Sequence, residues 1–78
     1  MEALIYTWTY CPYCVRAKQI LERNEIPYDE RVMDGRHAEL AEIKAKYNHY
    51  TVPIIILDGC FIGGCDELGV KERAGQLH

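Results

Sequence analysis

The sequence predicts an α/β fold: a mixed four-stranded sheet with helices on both faces, in the order β-α-β-α-β-β-α. Three observations carry that prediction. Short runs rich in aromatic and β-branched residues alternate with segments whose apolar residues recur at helical spacing. A strand-helix-strand unit opens the chain, which makes its first two strands parallel. Asp58-Gly59 then joins two late strands as a two-residue hairpin, which makes those two antiparallel.

The first run, ALIYTWTY from Ala3 to Tyr10, suits a pleated strand and predicts one that ends near Thr7. Pro12 fits the first position of a helix, where its missing N–H is no loss, and this makes Cys11 the N-cap. Ala17, Ile20 and Leu21 mark the buried face of that helix, and Asn24 and Pro27 bracket its end. Tyr28 to Met33 reads as the second strand, and Asp34-Gly35 as a turn. Leu40, Ile43 and Tyr47 predict a second helix from Arg36 to Tyr47. VPIIIL, Val52 to Leu57, lacks polar alternation and predicts a strand buried on both faces. A short strand from Cys60 to Ile62 follows the hairpin. The last helix runs from about Cys65 to Ala74, with acids first, bases last and Gly75 as its stop. Gly69, inside it, weakens the prediction there.

Composition narrows the function. The 78 residues are 49% hydrophobic and 27% charged, which fits one small folded domain rather than a disordered chain. A net charge of -3 argues against nucleic acid, whose binding needs clustered Lys and Arg. MEALIYTWTY carries an acid where a secretory signal would carry bases, and its apolar run is too short to span a bilayer. A cytoplasmic protein with no membrane partner is expected.

Cys11 and Cys14 form C-x-x-C, while Cys60 and Cys65 form C-x-x-x-x-C. A cysteine reacts as its thiolate, and a helix N-terminus offers that anion unpaired N–H groups and partial positive charge. Cys11 occupies that position. Cys14, a turn further in and more enclosed, is expected to keep a higher pKa and to attack the first sulfur once it carries a partner. Zinc would demand a second C-x-x-C or an H-x-x-x-H, and a structural disulfide would close too small a loop in a reducing compartment. A redox pair is therefore the leading reading, with no metal. Cys60 and Cys65 read as buried or idle thiols, His37, His49 and His78 as solvent-exposed, and Lys44 and Lys46 as a solvated helix face.

CPYC at Cys11 to Cys14, TVP at Thr51 to Pro53 and GGCD at Gly63 to Asp66 stand in order, and with them the chain resembles a glutaredoxin of the short bacterial dithiol type. The resemblance runs from the YT before CPYC to ERAGQL at Glu72 to Leu77. It implies the thioredoxin fold over residues 1–78 as a single domain, a monomer, and glutathione-dependent reduction of protein disulfides and glutathione mixed disulfides. Cys11 would be the nucleophile and Cys14 the resolving thiol. The resemblance also implies a cis Val52-Pro53 peptide whose Val52 backbone pairs with the cysteine residue of glutathione. The N–H groups of Cys65 and Asp66, after Gly63-Gly64, would bind the γ-glutamyl carboxylate, and the Asp66 carboxylate its ammonium. Tyr13 and Thr51 would complete the glutathione site.

Several positions depart from the family: Tyr50 precedes Thr51, Ile54 to Ile56 stand where a polar residue and an aromatic are common, Cys60 puts a thiol in the hairpin, and Trp8 replaces a charge. Many glutaredoxins carry lysine three residues before the first cysteine, facing the glycine carboxylate of glutathione, whereas this chain has Trp8, which reads as a groove wall. Lys44, Lys46 or His49 could supply the missing charge. The resemblance leaves two alternatives: a glutaredoxin-like redoxin reduced by thioredoxin reductase, which the loss of the lysine favours, and a metal- or cluster-binding module of the kind some relatives form, which Pro12 disfavours because it goes with the redox members of the family.

Overall fold

The computed structural model describes residues 1–77. Strand β1 (Ala3–Thr7) is followed by helix α1 (Pro12–Arg23), β2 (Tyr28–Val32), α2 (His37–Tyr47), β3 (Ile54–Leu57), β4 (Cys60–Gly63) and α3 (Cys65–Arg73). The sheet order is β2-β1-β3-β4, with β1 parallel to β2 and antiparallel to β3, and β3 antiparallel to β4. This is the thioredoxin fold.

The two faces of the sheet bury different helices because successive strand residues point in opposite directions. Ala3, Ile5, Ile55 and Leu57 face α1 and α3, where they join Ala17, Ile20, Leu21 and Leu68 in the larger core. Ile54 and Tyr6 face the other way and pack with Met33, Leu40 and Ile43 of the α2 side. All four residues of β3 are buried, as its unbroken apolar run predicts. β2 is an edge strand, and its Asp29, Glu30 and Arg31 keep it exposed and charged.

Turns fix the ends of these elements. Asp58 and Gly59 adopt φ of 49° and 80°, the pair of left-handed residues that a tight hairpin between twisted strands requires. The Asp58 side chain accepts a 2.8 Å hydrogen bond from the Glu2 N–H, tying the hairpin to the start of β1. Several boundaries differ from the sequence reading: α2 begins at His37 rather than Arg36, β4 runs on to Gly63 and α3 ends at Arg73, each by one residue. β3 begins at Ile54 rather than Val52, because Pro53 has no N–H to give the ladder. β2 ends at Val32, and Met33 turns into the α2 core instead.

Candidate active site

β1 ends at the carboxyl edge of the sheet and hands the chain to α1 through Trp8 to Cys11. Cys11 has extended backbone (φ -142°, ψ 105°), and its sulfur accepts the Cys14 N–H at 3.2 Å, so the thiol itself caps the helix. Pro12 occupies the first turn as predicted. The two cysteines come within 2.7 Å of each other. Their settings differ: Cys11 keeps 9% of its surface exposed and Cys14 only 1%. Burial, reinforced by the hydrogen bond to Cys11, pushes the Cys14 thiol up to about 12.

From the far side, the segment before β3 brings Val52 and Pro53 to Cys11. Their peptide bond is cis, and the Cys11 thiol points at the Val52 carbonyl across 4.0 Å. β4 then delivers Gly63 and Gly64 to the start of α3. Gly63 has φ of +120°, and a side chain there would collide with Glu67. The Glu67 carboxylate accepts the Gly64 N–H at 2.8 Å, one half of a capping box. The N–H groups of Cys65 and Asp66, next along, make no hydrogen bond among the described residues.

These segments enclose a groove of about 450 Å³. It brings together Trp8, Cys11, Tyr13, Thr51, Val52, Pro53, Gly64, Cys65 and Asp66, every candidate from the sequence except Cys14, which lies behind Cys11. The N-termini of α1 and α3 both open onto it, a favourable arrangement for anions. Cys65 is buried, and burial raises its thiol pKa. Cys60 is exposed on β4, away from these residues' groove lining.

One residue of the groove and one beside it are less solvated than the sequence reading expects. His49 is half-buried rather than solvated: its ring packs edge-on to Phe61 at 5.5 Å and Nε2 lies 3.2 Å from the Thr51 hydroxyl. Lys44 is not a bare solvated residue either, since its ammonium sits 5.3 Å from the centre of the Trp8 ring. Lys46 turns to Tyr47 instead. His37 is exposed as expected, and His78 lies outside the described residues. Tyr10, 94% exposed on the rim, and Glu67 went unrecognised in the sequence. The Gly64-to-Glu67 spacing was the signal for Glu67; Tyr10 had none.

Comparison with known proteins decides the family: the glutaredoxin family model matches residues 3–62. The chain belongs to the glutaredoxin family. It is 45% identical to a glutaredoxin of Pseudomonas aeruginosa over 74 residues, covering 95% of this chain and 88% of that one. It is 40% identical to glutaredoxin 3 of Escherichia coli K12 over 73 residues, covering 94% and 88%. Among solved structures, a buckwheat glutaredoxin in complex with glutathione superposes with a TM-score of 0.91 at 31% identity, covering 96% of this chain and 71% of that one. The dithiolic glutaredoxin 2-C-Grx1 of Trypanosoma brucei brucei gives 0.86 at 36%, covering 96% and 80%. This glutaredoxin is a thiol-disulfide oxidoreductase of the short dithiol type, with its C-x-x-C pair at the mouth of α1.

Proposed function

We propose that residues 1–78 act as one domain, a cytosolic monomer that uses glutathione to reduce protein disulfides and glutathione mixed disulfides. The observation that carries this is the unequal setting of two sulfurs one helical turn apart. Cys11 receives a backbone N–H at the groove, while burial keeps Cys14 a neutral thiol behind it. One is placed to attack and the other to wait.

In the monothiol cycle the Cys11 thiolate attacks the glutathionyl sulfur of a mixed disulfide. The old S–S bond breaks, the substrate sulfur leaves as a thiolate that takes a proton from water, and Cys11 is left bonded to glutathione. A second glutathione thiolate attacks that same glutathionyl sulfur, releasing glutathione disulfide and the Cys11 thiolate. For a protein disulfide, Cys11 forms the first mixed disulfide and Cys14, losing its proton as it reacts, displaces the second protein thiol. Two glutathiones then reduce the Cys11–Cys14 disulfide.

In this reading glutathione lies along the groove with its cysteine residue against the backbone of Val52, between Tyr13 and Thr51. Its γ-glutamyl carboxylate meets the open N–H groups of Cys65 and Asp66 beside Gly64, and its ammonium meets the Asp66 carboxylate. The glutathione-bound buckwheat relative supports the choice of ligand. At the other end, Lys44 held over Trp8 brings the positive charge that position 8 lacks.

That same missing lysine favours a second reading, with thioredoxin reductase as electron donor. Oxidised protein is supplied with NADPH and either glutathione plus glutathione reductase or thioredoxin reductase alone. Rapid turnover in the first mixture is expected; rapid turnover only in the second would replace glutathione as the reductant.

A further inference from the structure

We infer that the groove between α1 and α3 is a docking surface for an acidic segment of the polypeptide whose sulfur reacts at Cys11. The inference rests on the reading of Cys11 as nucleophile and adds the class of polypeptide preferred. This second groove holds about 430 Å³ and shares Cys65 and Asp66 with the active-site groove. A chain engaged at Cys11 can therefore continue into it along a continuous surface.

Its charge is opposite to that of the protein as a whole. Three guanidinium groups, Arg16, Arg23 and Arg73, line it with two carboxylates, Asp66 and Glu72. Glu72 is already engaged, accepting 2.7 and 2.6 Å hydrogen bonds from Arg23 and a 2.7 Å bond from Asn24. Arg16 and Arg73 make no ion pair among the described residues. Arg16 lies 5.9 Å from the Tyr13 ring centre, bordering both grooves. Asp66 is the remaining acid, and three guanidinium groups against two carboxylates leave the groove net positive.

Gly69 fits this use. Its φ is not in the left-handed region, and a side chain there would meet only the Arg73 Nη1 at 3.5 Å, an ordinary contact. Neither backbone nor packing requires glycine, which weakens a helix interior relative to alanine. Its effect is a bare groove floor beneath Arg73, beside an exposed Val70. Guanidinium forks over a partly apolar floor suit carboxylate side chains interspersed with apolar ones. A nucleic acid would instead meet the net charge of -3 over the rest of the molecule.

The test uses short cysteine peptides flanked by glutamates, glutamines or lysines, each activated as a disulfide with thionitrobenzoate. In a Cys14→Ser background, Cys11 attacks the peptide sulfur, the coloured thiolate leaves, and its release gives the rate without glutathione. The acidic peptide is expected to react fastest at low salt. Its advantage over the lysine peptide should shrink about tenfold in Arg16→Gln/Arg73→Gln, as expected for lost charge steering. Lys71→Gln, which removes a charge from the same helix outside the groove, should leave that advantage in place. An advantage untouched by the arginine substitutions, or equally reduced by Lys71→Gln, would overturn the inference. Turnover of a small glutathione mixed disulfide is measured alongside; its absence would refute the glutathione reading while the peptide rates still decide the docking surface.

Discussion

The N-termini of α1 and α3 open onto the same groove, yet they are finished differently. At α1 the cap is a sulfur, so the first turn's free N–H is turned onto the thiol proposed to react. At α3 the cap is glycine, Glu67 takes the Gly64 N–H, and the next two N–H groups stay open to the groove. One helix end suits the chemistry proposed for Cys11, and the other suits an anion. The difference shows how a single electrostatic device, repeated, can serve two tasks once the capping residue changes.

Substitutions that respect this division should separate the two tasks. Outside the two cysteines, the largest effect is expected from Gly63→Ala, which forces a non-glycine residue to φ of +120° and pushes Glu67 off the Gly64 N–H. A loss of about 2 kcal/mol is expected, read as a lower midpoint in chemical denaturation together with weaker glutathione use. Next comes Asp66→Asn, which should raise KM for a glutathione mixed disulfide about tenfold with kcat nearly kept, the pattern of lost ground-state binding. A matching fall in kcat would mean that Asp66 acts on the chemistry. Lys44→Ala should give a smaller rise in KM, roughly threefold, as a solvent-screened surface charge gives; no change would remove Lys44 as the substitute for the lysine missing at position 8.

The smallest effect concerns the clamp between the same two helices. Hydrogen bonds from Arg23, with Asn24 and the nearby charges adding to them, hold the Glu72 carboxyl at about 2, against an ordinary 4.5. A carboxyl lowered on folding stabilises the fold above its ordinary value and ceases to as pH falls through its folded one. Glu72→Gln should therefore lower the melting temperature slightly at neutral pH, with the gap to the parent protein closing between pH 4.5 and 2. A gap that persists unchanged at pH 2 would show that the clamp acts through packing.

Much of this was legible in the chain. Pro12 after a strand announced the start of α1, and with it Cys11 as cap, because proline is suited to so few helix positions. Asp58-Gly59 announced its hairpin, and the unbroken VPIIIL its burial on both faces. What stayed hidden depended on how distant segments meet. Lys44, Lys46 and His49 were equal candidates in sequence, and packing alone sets them apart: Lys44 sits over Trp8, Lys46 turns to Tyr47 and His49 lines the groove. Trp8 looked like a lost charge until α2 laid Lys44 against it. The α1–α3 groove could not be read at all, because Arg16 and Arg73 are brought together by helix packing alone.

The central claim is that the two sulfurs, a single turn apart, have different work, and steady-state turnover of a small glutathione mixed disulfide tests it most directly. Cys11→Ser should abolish turnover, while Cys14→Ser should retain much of it, because only the nucleophile is needed when glutathione itself completes the cycle. Comparable losses in both variants would contradict the account.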